Sequence, residues 1–168
     1  MNYHNITHDD MKNGDGLRVV LWVAGCGHHC KNCQNPQTWD PNSGIRFDEN
    51  AEKEIFTELS KDYISGITFS GGDPCYVDNI DTVVELMVKI KKKFPNKDIW
   101  VYTGYELPHL TTNVMSWDKK THENFLRNVD VIVDGPYIDT LRDTSLHWVG
   151  SSNQHVWRKS GINFTKDE

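Results

Sequence analysis

The chain has 168 residues, a formal net charge of -6 and a pI near 5.7. That is enough length to bury one core, but short of the ~250 residues of a complete eight-stranded α/β barrel. Net acidity excludes a broad nucleic-acid footprint, which needs a clustered basic face, and no apolar run approaches the ~20 residues of a membrane span.

The opening residues, MNYHNITHDD, lack the charged and apolar regions of a signal peptide. A cytoplasmic location is therefore expected, and in that reducing compartment clustered cysteines point to metal or catalytic thiols before disulfides. Residues 17–24 (LRVVLWVA) form a nearly continuous apolar run rich in β-branched side chains, the pattern of a strand buried on both faces. This strand runs into GCGHHCKNCQ, which holds Cys26, Cys30 and Cys33. After a loop with Pro36, Pro41 and Gly44, Asp48 is placed to cap a helix whose Ala51, Ile55 and Leu59 share one face.

Residues 64–69 read as a second strand that leads into Ser70-Gly71-Gly72-Asp73-Pro74. The spacing of Ile80, Val83, Val84, Met87 and Ile90 predicts a helix over about 79–94, with Lys89, Lys91, Lys92 and Lys93 on its solvated face. Residues 98–102 are a third strand, followed by Thr103-Gly104-Tyr105. Residues 119–127 suggest a further helix, and 129–133 a fourth strand leading to Asp134-Gly135-Pro136. Residues 146–149 and 155–157 are expected as short strands flanking Gly150-Ser151-Ser152-Asn153-Gln154, closing a single domain of residues 1–157. Residues 158–168 are expected as a polar, frayed C-terminal tail.

Strands alternating with helices imply parallel pairing through right-handed crossovers, and ligands in such sheets lie at the carboxyl ends of the strands. The cysteine loop, SGGDP, TGY and DGP all fall there, which points to one site on one rim.

A structural zinc site wants four protein ligands in a closed tetrahedron. Here the spacing is CxxxCxxC with no second knuckle, and His28, His29 or Cys75 would have to complete it. An iron-sulfur cube suits the pattern better, because three thiolates leave the fourth iron open to an exogenous ligand. The remaining candidates have plainer readings. Cys75 is a small buried thiol, Asp134-Gly135-Pro136 an ordinary turn, Asn153 a residue that bonds neighbouring backbone, and His28 and His29 exposed loop residues or neighbours of the metal.

CxxxCxxC followed by Gly71-Gly72-Asp73-Pro74 after the second strand resembles the radical S-adenosylmethionine superfamily. Asn13 to Arg18 (NGDGLR), Trp100 to Tyr105 (WVYTGY), Val133-Asp134-Gly135 and GSSNQ narrow the likeness to the activating enzymes of anaerobic ribonucleoside-triphosphate reductases. The resemblance implies an α/β fold, a partial, open (β/α) barrel with mostly parallel strands. It also implies a [4Fe-4S] cluster on Cys26, Cys30 and Cys33, with S-adenosylmethionine as cosubstrate.

By the same resemblance, Asn32, Cys33, Gln34, Gly71, Gly72 and Asp73 would contact the cosubstrate, with Thr103, Asp134 and Asn153 on the same rim. Many members carry an aromatic residue where this chain has Asn32, so main-chain contacts to the adenine are expected there. The implied reaction is reductive cleavage of S-adenosylmethionine, after which the 5'-deoxyadenosyl radical abstracts hydrogen from a glycine of the large reductase subunit. The implied electron donor is a flavodoxin. The competing readings are a radical enzyme acting on a small heterocycle, as the carboxydeazaguanine synthases do, and a zinc-stabilised binding module without catalysis.

Overall fold

In the computed structural model, which describes residues 1–167, the chain begins with a strand that its sequence does not announce. β1 (Asn2–Asp10) is polar, with only Ile6 in the core, and it pairs antiparallel with β2 (Leu17–Val23). β2 is the expected buried strand, with Val19, Val20, Leu21 and Val23 wholly shielded from solvent. A two-residue strand, β3 (Ile45–Arg46), pairs with the outer side of β1.

Helix α1 (Glu49–Leu59) starts where Asp48 accepts a hydrogen bond from the Ala51 N–H at 3.0 Å, and it buries Ala51, Ile55 and Leu59. β4 (Ile64–Gly71), α2 (Ile80–Lys93) and β5 (Asp98–Tyr102) follow as expected. Three of the four lysines of α2 are engaged within the chain, and Lys92 is exposed. Lys89 pairs with Glu52 and Glu85, Lys91 with Asp130, and Lys93 lies over Phe56 and Phe94.

A short helix absent from the sequence reading, α3 (Leu107–Thr112), has Pro108 in its first turn, where a missing N–H costs nothing. α4 (Lys119–Asn128) and β6 (Val131–Asp134) complete the regular alternation; Val129 is drawn into the helix end by its N–H bond to the Phe125 carbonyl.

Two expectations fail beyond this point. Residues 146–149 are turn, with Trp148 in the left-handed region at φ 67, because no strand lies alongside to pair with them. Of residues 158–168, expected to fray, 158–167 instead hold the end of β7 (His155–Ser160) and all of β8 (Asn163–Lys166), and residue 168 lies outside the described residues. These two form an antiparallel hairpin on the edge of β6. Their polar side chains suit an edge with one face in water.

All strands join one 8-stranded sheet in the order β3-β1-β2-β4-β5-β6-β7-β8. The pairings β2 with β4, β4 with β5 and β5 with β6 are parallel, and both margins are antiparallel. Alternate residues of a strand face opposite ways, and here they serve different ends. Val19, Leu21, Val23, Ile67, Phe69, Ile99, Val101 and Ile132 pack with the helices. Trp100, Val131, Val133 and Val156 form a second, smaller cluster with Tyr102, Trp148 and Val149 on the helix-free face.

Beside that second cluster, Arg18 is fully buried. Its guanidinium pairs with Asp98 at 2.6 Å, donates to Thr68 Oγ1 and the Ile67 carbonyl, and lies 5.2 Å from the Trp100 ring. Arg158 of β7 also lies 5.2 Å from that ring, tied to Asp15 and Asp167. Among the described residues no helix is long and apolar enough to cross a membrane.

Candidate metal centre

At the carboxyl end of β2 the chain turns through Gly25, whose φ of 102 lies in the left-handed region. The Gly25 N–H donates to the Thr38 carbonyl at 2.7 Å and the Cys26 N–H to that of Trp39 at 3.1 Å, which sets the start of the cysteine loop. The Cys33 N–H closes back on the Cys30 carbonyl at 3.1 Å. That bend places Asn32 at φ 58, a conformation Asn tolerates better than an aromatic residue would.

Cys26, Cys30 and Cys33 are free thiols, partly exposed, and all line one cleft of about 420 Å³, within the ~300–1,000 Å³ typical of small-molecule sites. Burial pushes the Cys26 thiol up to about 11, with the backbone at His28 and His29 pulling the other way. The Asn35 N–H lies 3.4 Å from the Cys33 sulfur. Main-chain N–H groups aimed at thiolate sulfur are one of the means by which proteins set the properties of iron-sulfur clusters. Among the described residues no group of three or more His, Cys, Asp or Glu side chains is gathered around a position for a single metal ion. Three thiols on one cleft are the donor set that an iron-sulfur cube would take, with one thiolate to each of three irons.

The glycine turn packs directly against the cysteine loop. A Cβ on Gly71 would lie 2.6 Å from the Val23 nitrogen, and one on Gly72 would lie 2.5 Å from the Gly25 carbonyl oxygen. The Gly72 N–H donates to Val23 O at 2.7 Å and the Asp73 N–H to Gly25 O at 2.8 Å. The missing side chains are therefore required first by the protein's own main chain. With both amides committed, this turn offers a ligand carbonyl acceptors in place of donors.

Asp73 is 1% exposed. Its Oδ1 accepts from the Cys75 N–H at 2.8 Å, and its Oδ2 accepts from Thr103 Oγ1 and the Gly104 N–H, each at 3.0 Å, and from His28 Nε2 at 2.7 Å. One carboxylate thus joins the loops after β2, β4 and β5. Gly104 leaves room for the imidazole, since a Cβ there would stand 2.4 Å from the His28 ring. His28 is not the exposed loop residue that the sequence allowed: its side chain is 18% exposed and its ring meets Tyr105 edge-on at 4.5 Å. His29 stacks on Trp39 at 4.6 Å. Cys75 is buried as expected, and burial followed by the charge of Asp73 raises its thiol well above the ordinary value.

Of the residues expected on the rim, Cys26, Cys30, Cys33, Gln34, Gly71, Gly72, Asp73 and Thr103 all line the cleft. Asn32, Asp134 and Asn153 are not among its lining residues. The Asn32 side chain donates to Asp139 at 2.8 Å, and this bond holds the Asp139 carboxyl below its usual range. Asp134 is buried and accepts from the N–H groups of Leu107 and His155, fixing the start of α3 and of β7. Asn153 donates to the Pro136 carbonyl at 2.7 Å.

The neighbour of Asn153, Gln154, is a cleft residue the sequence reading did not single out. Its Oε1 accepts from the Gly150 and Ser151 N–H groups, while its Nε2 donates to the Gly135 carbonyl at 2.9 Å. It staples GSSNQ to DGP. Tyr102, Trp148 and Trp22 also line the cleft, and only their place on or beside strands leading to the rim could have indicated it.

Residues 12–157 match the family model of a 4Fe-4S single cluster domain, which leaves the reading as a zinc-stabilised module without support. The chain is 43% identical over 157 residues to the anaerobic ribonucleoside-triphosphate reductase-activating protein of Enterobacteria phage T4, with 94% of each chain covered. It is 39% identical over 160 residues to the protein of that name from Haemophilus influenzae, covering 94% of this chain and 98% of the relative. The corresponding protein of Escherichia coli K12 is 40% identical over 158 residues, with 93% and 97% covered. A cysteine triad and glycine turn facing one cleft, in a chain matched along nearly its whole length by these relatives, belong to the family of anaerobic ribonucleoside-triphosphate reductase-activating proteins.

Proposed function

We propose that this protein activates an anaerobic ribonucleoside-triphosphate reductase by generating a glycyl radical on its large subunit, using a [4Fe-4S] cluster and S-adenosylmethionine. The observation that carries the reading is the convergence of Cys26, Cys30, Cys33, Gly71, Gly72 and Thr103 on one cleft at the carboxyl ends of parallel strands. The relatives named for that activity support it.

In this reading Cys26, Cys30 and Cys33 would hold the [4Fe-4S] cluster as its protein ligands, beside a place for the cosubstrate in the same cleft. Bound there, the cluster supplies the electron for reductive cleavage of S-adenosylmethionine, the source of the radical that takes hydrogen from the target glycine. The carbonyl acceptors of the glycine turn suit the cosubstrate ammonium. Main chain at Asn32, Cys33 and Gln34 would lie beside the adenine edge. Tyr102, Trp22 and Trp148 wall the cleft with large rings, reducing the room for water and stray hydrogen donors, which is the protein's share in cofactor chemistry of this kind.

Helices confined to one face and a cleft on the other favour a partial, open barrel of the radical S-adenosylmethionine type, a domain that carries on past residue 157 through β7 and β8. A flavodoxin is the proposed electron donor and the cytoplasm the proposed location, in keeping with free cysteines and an acidic surface.

The test is anaerobic. The reconstituted, reduced protein is mixed with S-adenosylmethionine and a candidate reductase, and the sample is examined by electron paramagnetic resonance. A glycyl radical on the reductase is the expected result. Formation of 5'-deoxyadenosine with no radical on any reductase tried would move the protein to the small-heterocycle class.

A further inference from the structure

The longer spacer of the cysteine motif is Gly27-His28-His29, between Cys26 and Cys30. Its backbone enters the left-handed region at His29, with φ 48. The side chain that reaches from this spacer to the other strand ends is His28. Its Nε2 lies 2.7 Å from Asp73 Oδ2. An ionised carboxylate only accepts, so the imidazole donates.

The partner is rigid. Asp73 is buried and held by Cys75, Thr103 and Gly104, and the imidazole sits in a slot between the Tyr105 ring and the bare α-carbon of Gly104. A charge-assisted bond to an immobile acceptor orders a loop far better than one to a mobile surface group.

We propose that His28 is a positioning residue, a latch that orders the Cys26 to Cys30 spacer over the glycine turn before the cluster is assembled and keeps it ordered afterwards. The latch rests on the reading of Cys26, Cys30 and Cys33 as cluster ligands. It works by removing the cost of ordering the spacer from the ligation step. With its Nε2 committed to Asp73, His28 acts in this proposal by holding the loop and not as a cluster ligand.

Three variants separate a latch from mere bulk. His28→Gln places an amide nitrogen near the position of Nε2 and can still donate to Asp73. His28→Asn carries the same amide one carbon short, and His28→Ala removes the donor. In the metal-free protein, cysteine alkylation is followed residue by residue by mass spectrometry, with buried Cys75 as the internal reference.

Alkylation of Cys26 and Cys30 relative to Cys75 is expected to rise about tenfold in His28→Ala and His28→Asn, the effect of losing one charge-assisted bond, and to stay near wild type in His28→Gln. In the reconstituted protein, iron release to a chelator should follow the same order. Unchanged alkylation in His28→Ala and His28→Asn would overturn the latch, as would a His28→Gln protein that behaves like His28→Ala. If the wild type takes up no iron and sulfide, the cluster reading falls, while the alkylation order still decides whether His28 holds the loop.

Discussion

Replacing Cys26, Cys30 or Cys33 singly by alanine is expected to abolish reductase activation, while Cys75→Ala leaves it intact. The three thiols share one cleft and the fourth does not line it; on the proposed assignment each substitution would remove the protein ligand of one iron. A cube held by two thiolates is open at two irons and is lost to chelators and oxygen. Iron and acid-labile sulfide after anaerobic reconstitution should fall from about four of each per chain to a small fraction in each triad variant.

Cys75 gives the contrast. Its side chain is buried behind Asp73 and its N–H, the part Asp73 uses, survives the change to alanine. A Cys75→Ala protein that failed to hold a cluster, or a Cys30→Ala protein that held one as the wild type does, would sink this assignment of ligands.

The second large effect is on stability. Asp73→Ala strands four donors that now share one carboxylate: the N–H groups of Cys75 and Gly104, Thr103 Oγ1 and His28 Nε2. Removing the acceptor from a buried hydrogen-bonded network costs far more than a surface substitution, on the order of 3–5 kcal/mol here. For a chain of this size that corresponds to a fall in melting temperature of roughly 10 °C.

Asp73→Asn keeps one acceptor oxygen but turns an amide towards donors, and should fall between the two. Urea unfolding of the metal-free proteins measures this without any contribution from cluster loss. A midpoint for Asp73→Ala within the error of wild type would show that the loops after β2, β4 and β5 do not depend on this carboxylate.

Much of this arrangement was open to inspection in the chain itself, for physical reasons that can be named. Strands shielded on both faces must be apolar along their length, so LRVVLWVA and the run before SGGDP announced β2 and β4. Cysteine spacing is local, and it pointed to the metal without any tertiary information. Edge strands carry no such mark. β1 reads NYHNITHDD because one side faces water, and it is a strand because β2 offers it a partner. The same holds for β8, and the converse for residues 146–149, whose apolar content lacks a neighbouring strand.

The roles of individual polar residues were the least legible. Asp73 and His28 are 45 positions apart, and no periodicity links them. Asp134 looked like a rim residue, yet its oxygens serve the starts of α3 and β7.

The bare α-carbon of Gly104, facing the His28 imidazole, also bears on how such proteins diverge. A methyl group at position 104 would need the volume the ring now fills, so position 104 can gain a side chain only once the ring at 28 is gone or moved. Across relatives, an imidazole at the first should coincide with glycine at the second, and a lineage that acquires any side chain at 104 should already have lost the ring at 28. The two sites form one heritable unit, although 76 positions separate them in the chain.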